Sequence, residues 1–159
     1  MRTRLASAMV GLVASVGAIA IAFGADSDPV VGTWQLNVAK STFTAGPAPK
    51  SQTRTYTQSG PSITLVMKTM TPDGKEATQQ TTYQLDGKDY PVTGAPEYDG
   101  LAAKQVNPRT ASFTLKKGAK AVGSTNRTVS KDGKILTSKT SVTTAKGDKS
   151  ESTMVFNKQ

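Results

Sequence analysis

Side chains able to do chemistry are few in this chain, and what is missing narrows the field first. It has no histidine and no cysteine in 159 residues. Ser-His-Asp and Cys-His nucleophiles, and zinc sites built on nitrogen or sulfur ligands, are thereby ruled out by residue type. No phosphate-cradling glycine loop is present either. Eleven carboxylates remain. Asp73, Asp86, Asp132 and Asp148 sit in turns, and Asp26 and Asp28 lie ahead of the first strand. Glu97 and Asp99 share a loop, as a hydrolytic pair, a weak calcium site or ordinary solvated acids would. The reading is a protein that is not an enzyme and holds no cofactor and no metal.

One cation has a distinctive phase. Arg127 lies in Asn126-Arg127-Thr128-Val129-Ser130-Lys131-Asp132-Gly133-Lys134, in step with Ala121 and Val129. Successive side chains on a strand point to opposite faces, so a core-facing Val129 carries Arg127 inward. The opposite phase leaves it solvated. An inward guanidinium needs partners, because an unpaired buried charge is costly. The face of Trp34, the only tryptophan, is one such partner through cation–π attraction. A carboxylate held by two hydrogen bonds is another. Trp34 is in phase with Leu36, so it is expected inside and near Arg127. Leu65 and Met67 share a face with Ile63, Phe113 with Ala111 and Leu115, and Phe156 with Met154. Trp34, Arg127, Leu65, Met67, Phe113 and Phe156 are therefore the candidate ligand-binding residues.

The elements that must position them are strands. Turn signals recur at Ser59-Gly60-Pro61, Pro72-Asp73-Gly74-Lys75, Asp86-Gly87-Lys88, Asn107-Pro108, Lys117-Gly118, Asp132-Gly133 and Lys146-Gly147-Asp148. Asp-Gly suits two-residue hairpins because both positions favour positive φ. The segments between are rich in Thr, Val and Tyr, which suit a pleated surface. They predict strands at Val31–Val38, Gln52–Gln58, Ser62–Met70, Glu76–Leu85, Leu101–Val106, Thr110–Lys116, Ala121–Ser130, Ile135–Thr144 and Ser152–Lys158, with a short tenth near Asp89–Thr93. Ala39–Ser51 is expected to be a loop that opens on a helical turn, and Gly94–Gly100 a surface loop. With no helical periodicity, the class is all-β: an antiparallel up-and-down meander of about eight to ten strands closing into a barrel, or else a filled β-sandwich. Inward aliphatics are sparse, and the sequence holds 23 threonines. A barrel of about eight strands either fills with side chains or holds one small ligand.

Several of these motifs resemble a known family. Gly32-Thr33-Trp34-Gln35-Leu36 resembles the first-strand Gly-x-Trp signature of lipocalins and fatty-acid-binding proteins, the calycin group. Arg127 to Thr137 (RTVSKDGKILT) is similar to the late hairpin of intracellular fatty-acid-binding proteins, where an arginine points at the ligand carboxylate. Met154 and Phe156 occupy the places of the Arg-x-Tyr pair that completes the head-group site in those proteins. The chain resembles still more the exported bacterial lipocalin-like proteins that carry GTWxLNxAKSxF near the start and YDGKDYPVTG in the middle. Here these read Gly32 to Phe43, and Leu85 to Gly94 with Leu in place of the first Tyr. The resemblance implies a calycin-like barrel that binds a small lipophilic ligand, with Arg127 as its polar anchor.

The start of the chain reads as an export signal. Arg2 and Arg4 precede an uncharged run from Leu5 to Phe23, and Ala22 and Gly24 supply small residues at the positions read by a signal peptidase. Residues 1–24 are thus a cleavable signal peptide and 25–159 a single lipocalin-like domain, secreted or periplasmic. An uncleaved anchor is the alternative, since a spanning helix needs about 20 apolar residues. No second hydrophobic run follows, so no transmembrane segment is expected after cleavage. Removing Arg2 and Arg4 from the 20 basic residues leaves 18 against 11 acidic ones, a net charge of +7. Lys116-Lys117 is the only adjacent pair of cations, and aromatic residues do not interleave with the lysines. Nucleic acid is therefore not an expected partner. Scattered turn lysines keep strand edges soluble, or, in a rival reading, touch an anionic polymer of the cell envelope as part of a filled structural module. N-terminal sequencing of the exported protein is expected to begin at Ala25. Intact residues 1–24 in a membrane pellet would contradict the assignment.

Overall fold

A computed structural model describes residues 27–159. The signal-peptide assignment falls on residues 1–24 and lies outside the described residues. The strands are β1 (Gly32–Leu36), β2 (Thr42–Phe43), β3 (Ser51–Ser59), β4 (Ser62–Met70), β5 (Glu76–Tyr83), β6 (Asp86–Thr93), β7 (Gly100–Asn107), β8 (Thr110–Lys117), β9 (Lys120–Val129), β10 (Ile135–Thr143) and β11 (Lys149–Lys158). Each strand from β3 to β11 pairs antiparallel with its neighbours, and β1 pairs with both β3 and β11. The sheet thereby closes into a ten-strand barrel. A closed meander leaves no sandwich of two separate sheets, and the fold is the calycin-like barrel.

The closing seam is built from one long strand. Phe156 and Lys158 of β11 face Leu36 and Trp34, while Ser152 and Thr153 further back face Phe43 and Thr42 of β2. Between β1 and β2 the chain makes a single 3-10 turn, Val38–Lys40, in which the Asn37 side-chain oxygen accepts the Lys40 amide at 3.1 Å. The Ala39–Ser51 loop therefore contains one short strand that the sequence did not predict. Two residues cannot show a period, so no alternation marks them.

Inward alternation places Trp34, Leu36, Ile63, Leu65, Met67, Tyr83, Leu101, Ala111, Phe113, Leu115, Val129, Leu136 and Phe156 in the core. The segment before β1 plugs one end of the barrel. Val30 is fully buried there, its carbonyl accepts the Trp34 indole N–H at 2.7 Å, and the Val31 amide closes a turn onto the Asp28 carbonyl. Ala77, in phase with Tyr83, is exposed instead, because the β4–β5 hairpin projects past the rim of the interior.

The weakest seam joins β5 to β6, where only Gln80 with Thr93 and Thr81 with Val92 are in register. Gly94 ends it with φ of +79°. A Cβ at that position would run into the Thr78 carbonyl oxygen. Gly118, at φ +58°, has open space around it. Gly94→Ala is expected to cost about 1–3 kcal/mol through combined strain and backbone collision, seen as a lower urea midpoint at unchanged m-value. Gly118→Ala, which meets only the left-handed penalty, is expected to cost about 1 kcal/mol.

Candidate functional site

The site is a cavity of about 170 Å³ inside the barrel. Leu65 and Met67 of β4, Leu101 of β7, and Phe113 and Leu115 of β8 form its apolar walls. Polar groups come from opposite sides: Gln52, Arg54 and Tyr56 of β3, Gln79, Thr81 and Tyr83 of β5, Thr125 and Arg127 of β9, and Ser138 and Thr140 of β10. Tyr98, from the loop after β6, completes the lining and meets the Gln79 amide through its hydroxyl. The Gly94–Gly100 segment is thus more than a surface loop, because it carries a ring into the interior.

Arg127 points inward and is 3% exposed. Its Nη1 donates to the Tyr83 hydroxyl at 2.8 Å, and its Nη2 lies 3.3 Å from Oδ2 of Asp28. The guanidinium also stands over two rings, with Cζ 5.6 Å from the Tyr56 centroid and 5.5 Å from that of Phe113. Tyr83 and Phe113 in turn meet edge to face at 5.4 Å. Asp28 is held in place because its Oδ1 accepts the Val30 amide at 2.9 Å. Burial pushes the Tyr83 hydroxyl far above the usual phenol range, against the pull of the Arg127 charge. It therefore stays protonated, accepts from Arg127, and has no acceptor for its own proton among the described residues.

Two buried side-chain atoms have no hydrogen-bond partner among the described residues: Nε of Arg127 and Oγ of Ser138. They belong to residues directly opposite each other on β9 and β10. Both residues line the cavity. Leaving a buried donor unsatisfied costs about 1–3 kcal/mol. With the Tyr83 O–H, these two atoms make three buried donors without an acceptor among the described residues.

Of the six candidate ligand-binding residues, Leu65, Met67, Phe113 and Arg127 line the cavity, and Trp34 and Phe156 are not part of its wall. Trp34 is fully buried, bonded to Val30, with the Lys158 ammonium 5.1 Å from its ring centroid. Arg127 stacks on Tyr56 and Phe113 rather than on Trp34, so the expected Trp34–Arg127 pair is not formed. The indole N–H is bonded into the plugged end of the barrel, which leaves its ring to a different cation. Phe156 lies beneath another guanidinium, that of Arg54, whose Cζ is 4.4 Å from the ring centroid. Arg54, Tyr56 and Asp28 went unrecognised in the sequence. In Gln52–Gln58 no aliphatic residue sets the phase, and Asp28 sits in a segment with no period at all. Glu97 and Asp99 act as loop ties, accepting the Ala145 and Gly118 amides respectively.

The Asp28–Arg127 pair makes a direct demand on stability. Asp28→Asn strands a guanidinium and is expected to cost about 3 kcal/mol, at the lower end for breaking a buried pair because the contact is long. The double variant Asp28→Asn/Arg127→Gln is expected to recover part of that loss. A urea-unfolding double-mutant cycle measures the coupling, and additive losses would show that the two side chains do not depend on each other.

Neither a protein-family model nor the sequence of a curated protein matches the chain. Among solved structures, the zebrafish ileal bile acid-binding protein complexed with cholic acid is similar, with a TM-score of 0.51 and 11% identity over 82% of this chain and 99% of that one. At that identity the likeness is one of fold, and it agrees with the closed antiparallel meander: the chain has a calycin-like barrel.

Proposed function

We propose that this is an exported, non-catalytic barrel that binds a small lipophilic ligand carrying oxygen functions. The observation that carries the reading is the pair of unsatisfied buried atoms, Arg127 Nε and Ser138 Oγ, on the wall of a partly apolar cavity. Buried polar groups in folded proteins are nearly always hydrogen-bonded, so unsatisfied groups on two residues that line the cavity fit a hydroxyl, carbonyl or carboxyl oxygen from outside the chain. The hydrocarbon part of such a ligand would lie along Leu65, Met67 and Phe113. The structurally similar zebrafish protein is a binder by name, its structure holding cholic acid, which supports a carrier more than an enzyme.

Size follows from volume. An engineered cavity of roughly 150 Å³ in another protein takes up benzene, and the space here is about 170 Å³. The part of the ligand held in that space is thus about a single ring or a short chain. Thermal shifts with benzyl alcohol and toluene test the reading: the alcohol is expected to raise Tm more, because only it satisfies the donors. Ser138→Ala is expected to erase that difference while leaving the free protein as stable as before or up to about 1–2 kcal/mol more stable, since an unsatisfied hydroxyl is removed. Native mass spectrometry of protein from its own exported fraction should show a retained small mass. No shift with either compound, together with a bare mass, would sink the reading.

A further inference from the structure

The cavity holds a second guanidinium, and its situation differs from that of Arg127. Arg54 is 6% exposed and lines the same cavity. Its Nε donates to the Gln52 side-chain oxygen at 2.9 Å, its Nη2 approaches the Met154 sulfur at 3.8 Å, and one face rests on Phe156. All of these partners are uncharged. The ion pairs of the described residues are made by Lys75, Lys88, Lys116, Lys117, Arg127 and Lys149, so Arg54 has no carboxylate within salt-bridge distance among those residues. Arginine brings five N–H donors and keeps its charge at any pH a protein meets. An amide oxygen, a thioether and a ring occupy two of those donors and one face. Full charges are seldom buried without a counter-charge, because the cost is large, and here the counter-charge is missing on the side that faces the cavity.

The two arginines therefore have different tasks. Arg127 is already neutralised by Asp28 and offers only its orphaned Nε, which suits a neutral oxygen. Arg54 offers uncompensated charge and a free edge, the geometry that takes a carboxylate with two parallel hydrogen bonds. We propose that Arg54 is the charge-selecting residue of the cavity and that the ligand class is a monocyclic or short-chain carboxylate. The acid group sits on Arg54 beside Gln52 and Met154, and the hydrocarbon points toward Leu65 and Phe113. This proposal rests on the reading of the cavity as a ligand site.

Titration calorimetry with phenylacetate and its neutral counterpart phenylacetamide tests it on the purified protein. The acid is expected to bind about 10–100-fold more tightly, the range of charge-assisted hydrogen bonds. Arg54→Met, which keeps an unbranched side chain over Phe156, is expected to bring that ratio close to one while amide affinity changes little; Arg54→Lys should retain part of it. Cholate, whose fused rings exceed the roughly 170 Å³ of space beside Arg54, is expected not to displace phenylacetate. If the amide binds and the acid has no advantage, or the advantage survives in Arg54→Met, this proposal is overturned and the cavity reading stands. If neither compound binds, both fall. Displacement by cholate would overturn the size limit. Should Arg54→Met fail to fold, the unmodified protein decides: the advantage of the acid must disappear as the ligand is protonated at low pH, and its persistence would count against Arg54.

Discussion

The Arg127 guanidinium is a positive charge enclosed in a barrel with little hydrocarbon, and its contacts neutralise it and tie the surrounding residues together. Asp28 supplies the counter-charge, Tyr83 an oxygen, and Tyr56 and Phe113 their ring faces. Each partner comes from a different part of the chain, so one guanidinium ties the segment before β1 to β3, β5, β8 and β9. The plugged end of the barrel follows from the same contact. Asp28 reaches Arg127 because its segment folds under the strands, and that fold also brings the Val30 carbonyl to the Trp34 indole.

What the plug fills at one end, the polar lining leaves open further in. Thr81, Thr125, Ser138 and Thr140 stand where larger aliphatic side chains would otherwise meet. Short hydroxylated residues keep the pleated geometry of the strands while supplying little volume. The cavity is thus a product of residue choice along otherwise regular strands, and needs no distortion of the barrel. It also explains why the wall is mixed: apolar on β4, β7 and β8, polar on β3, β5, β9 and β10.

Much of this architecture was legible in the sequence because turns and periods are local. The Asp-Gly turns at 73–74 and 132–133 and the Thr-rich runs mark nearly every strand, although Asp86-Gly87 lies at an irregularity inside β6 rather than in a turn, and the barrel follows from hairpins without crossover helices. Val129, two residues on, gives the strand of Arg127 a clear phase that turns the guanidinium inward. The other half of the site had no such reference. Arg54 and Tyr56 alternate only with threonines, so either face could have been the inner one. Asp28 precedes any periodic element, and its role depends on a turn that brings it beneath strands far along the chain. Tyr98 lies in an irregular loop. Trp34 lies in the core as its phase with Leu36 requires but meets Lys158 rather than Arg127, because strand phase tells which face a side chain takes and not how far along the barrel axis it reaches.

The shared β11 has a consequence for the order of events in folding. Hairpins from β3 to β11 join neighbours in sequence and can form one after another as the chain becomes available. The seam of Trp34 with Lys158 and Leu36 with Phe156 joins the first strand to the last. Until the final residues are free, β1 has only β3 for a partner and the edge of the sheet stays unpaired. Closure is therefore a late event with a large loop-entropy cost, typical of slow-folding, high-contact-order β proteins. A chain emerging from its amino end, whether from a ribosome or through a membrane, stays an open ribbon until its last strand arrives.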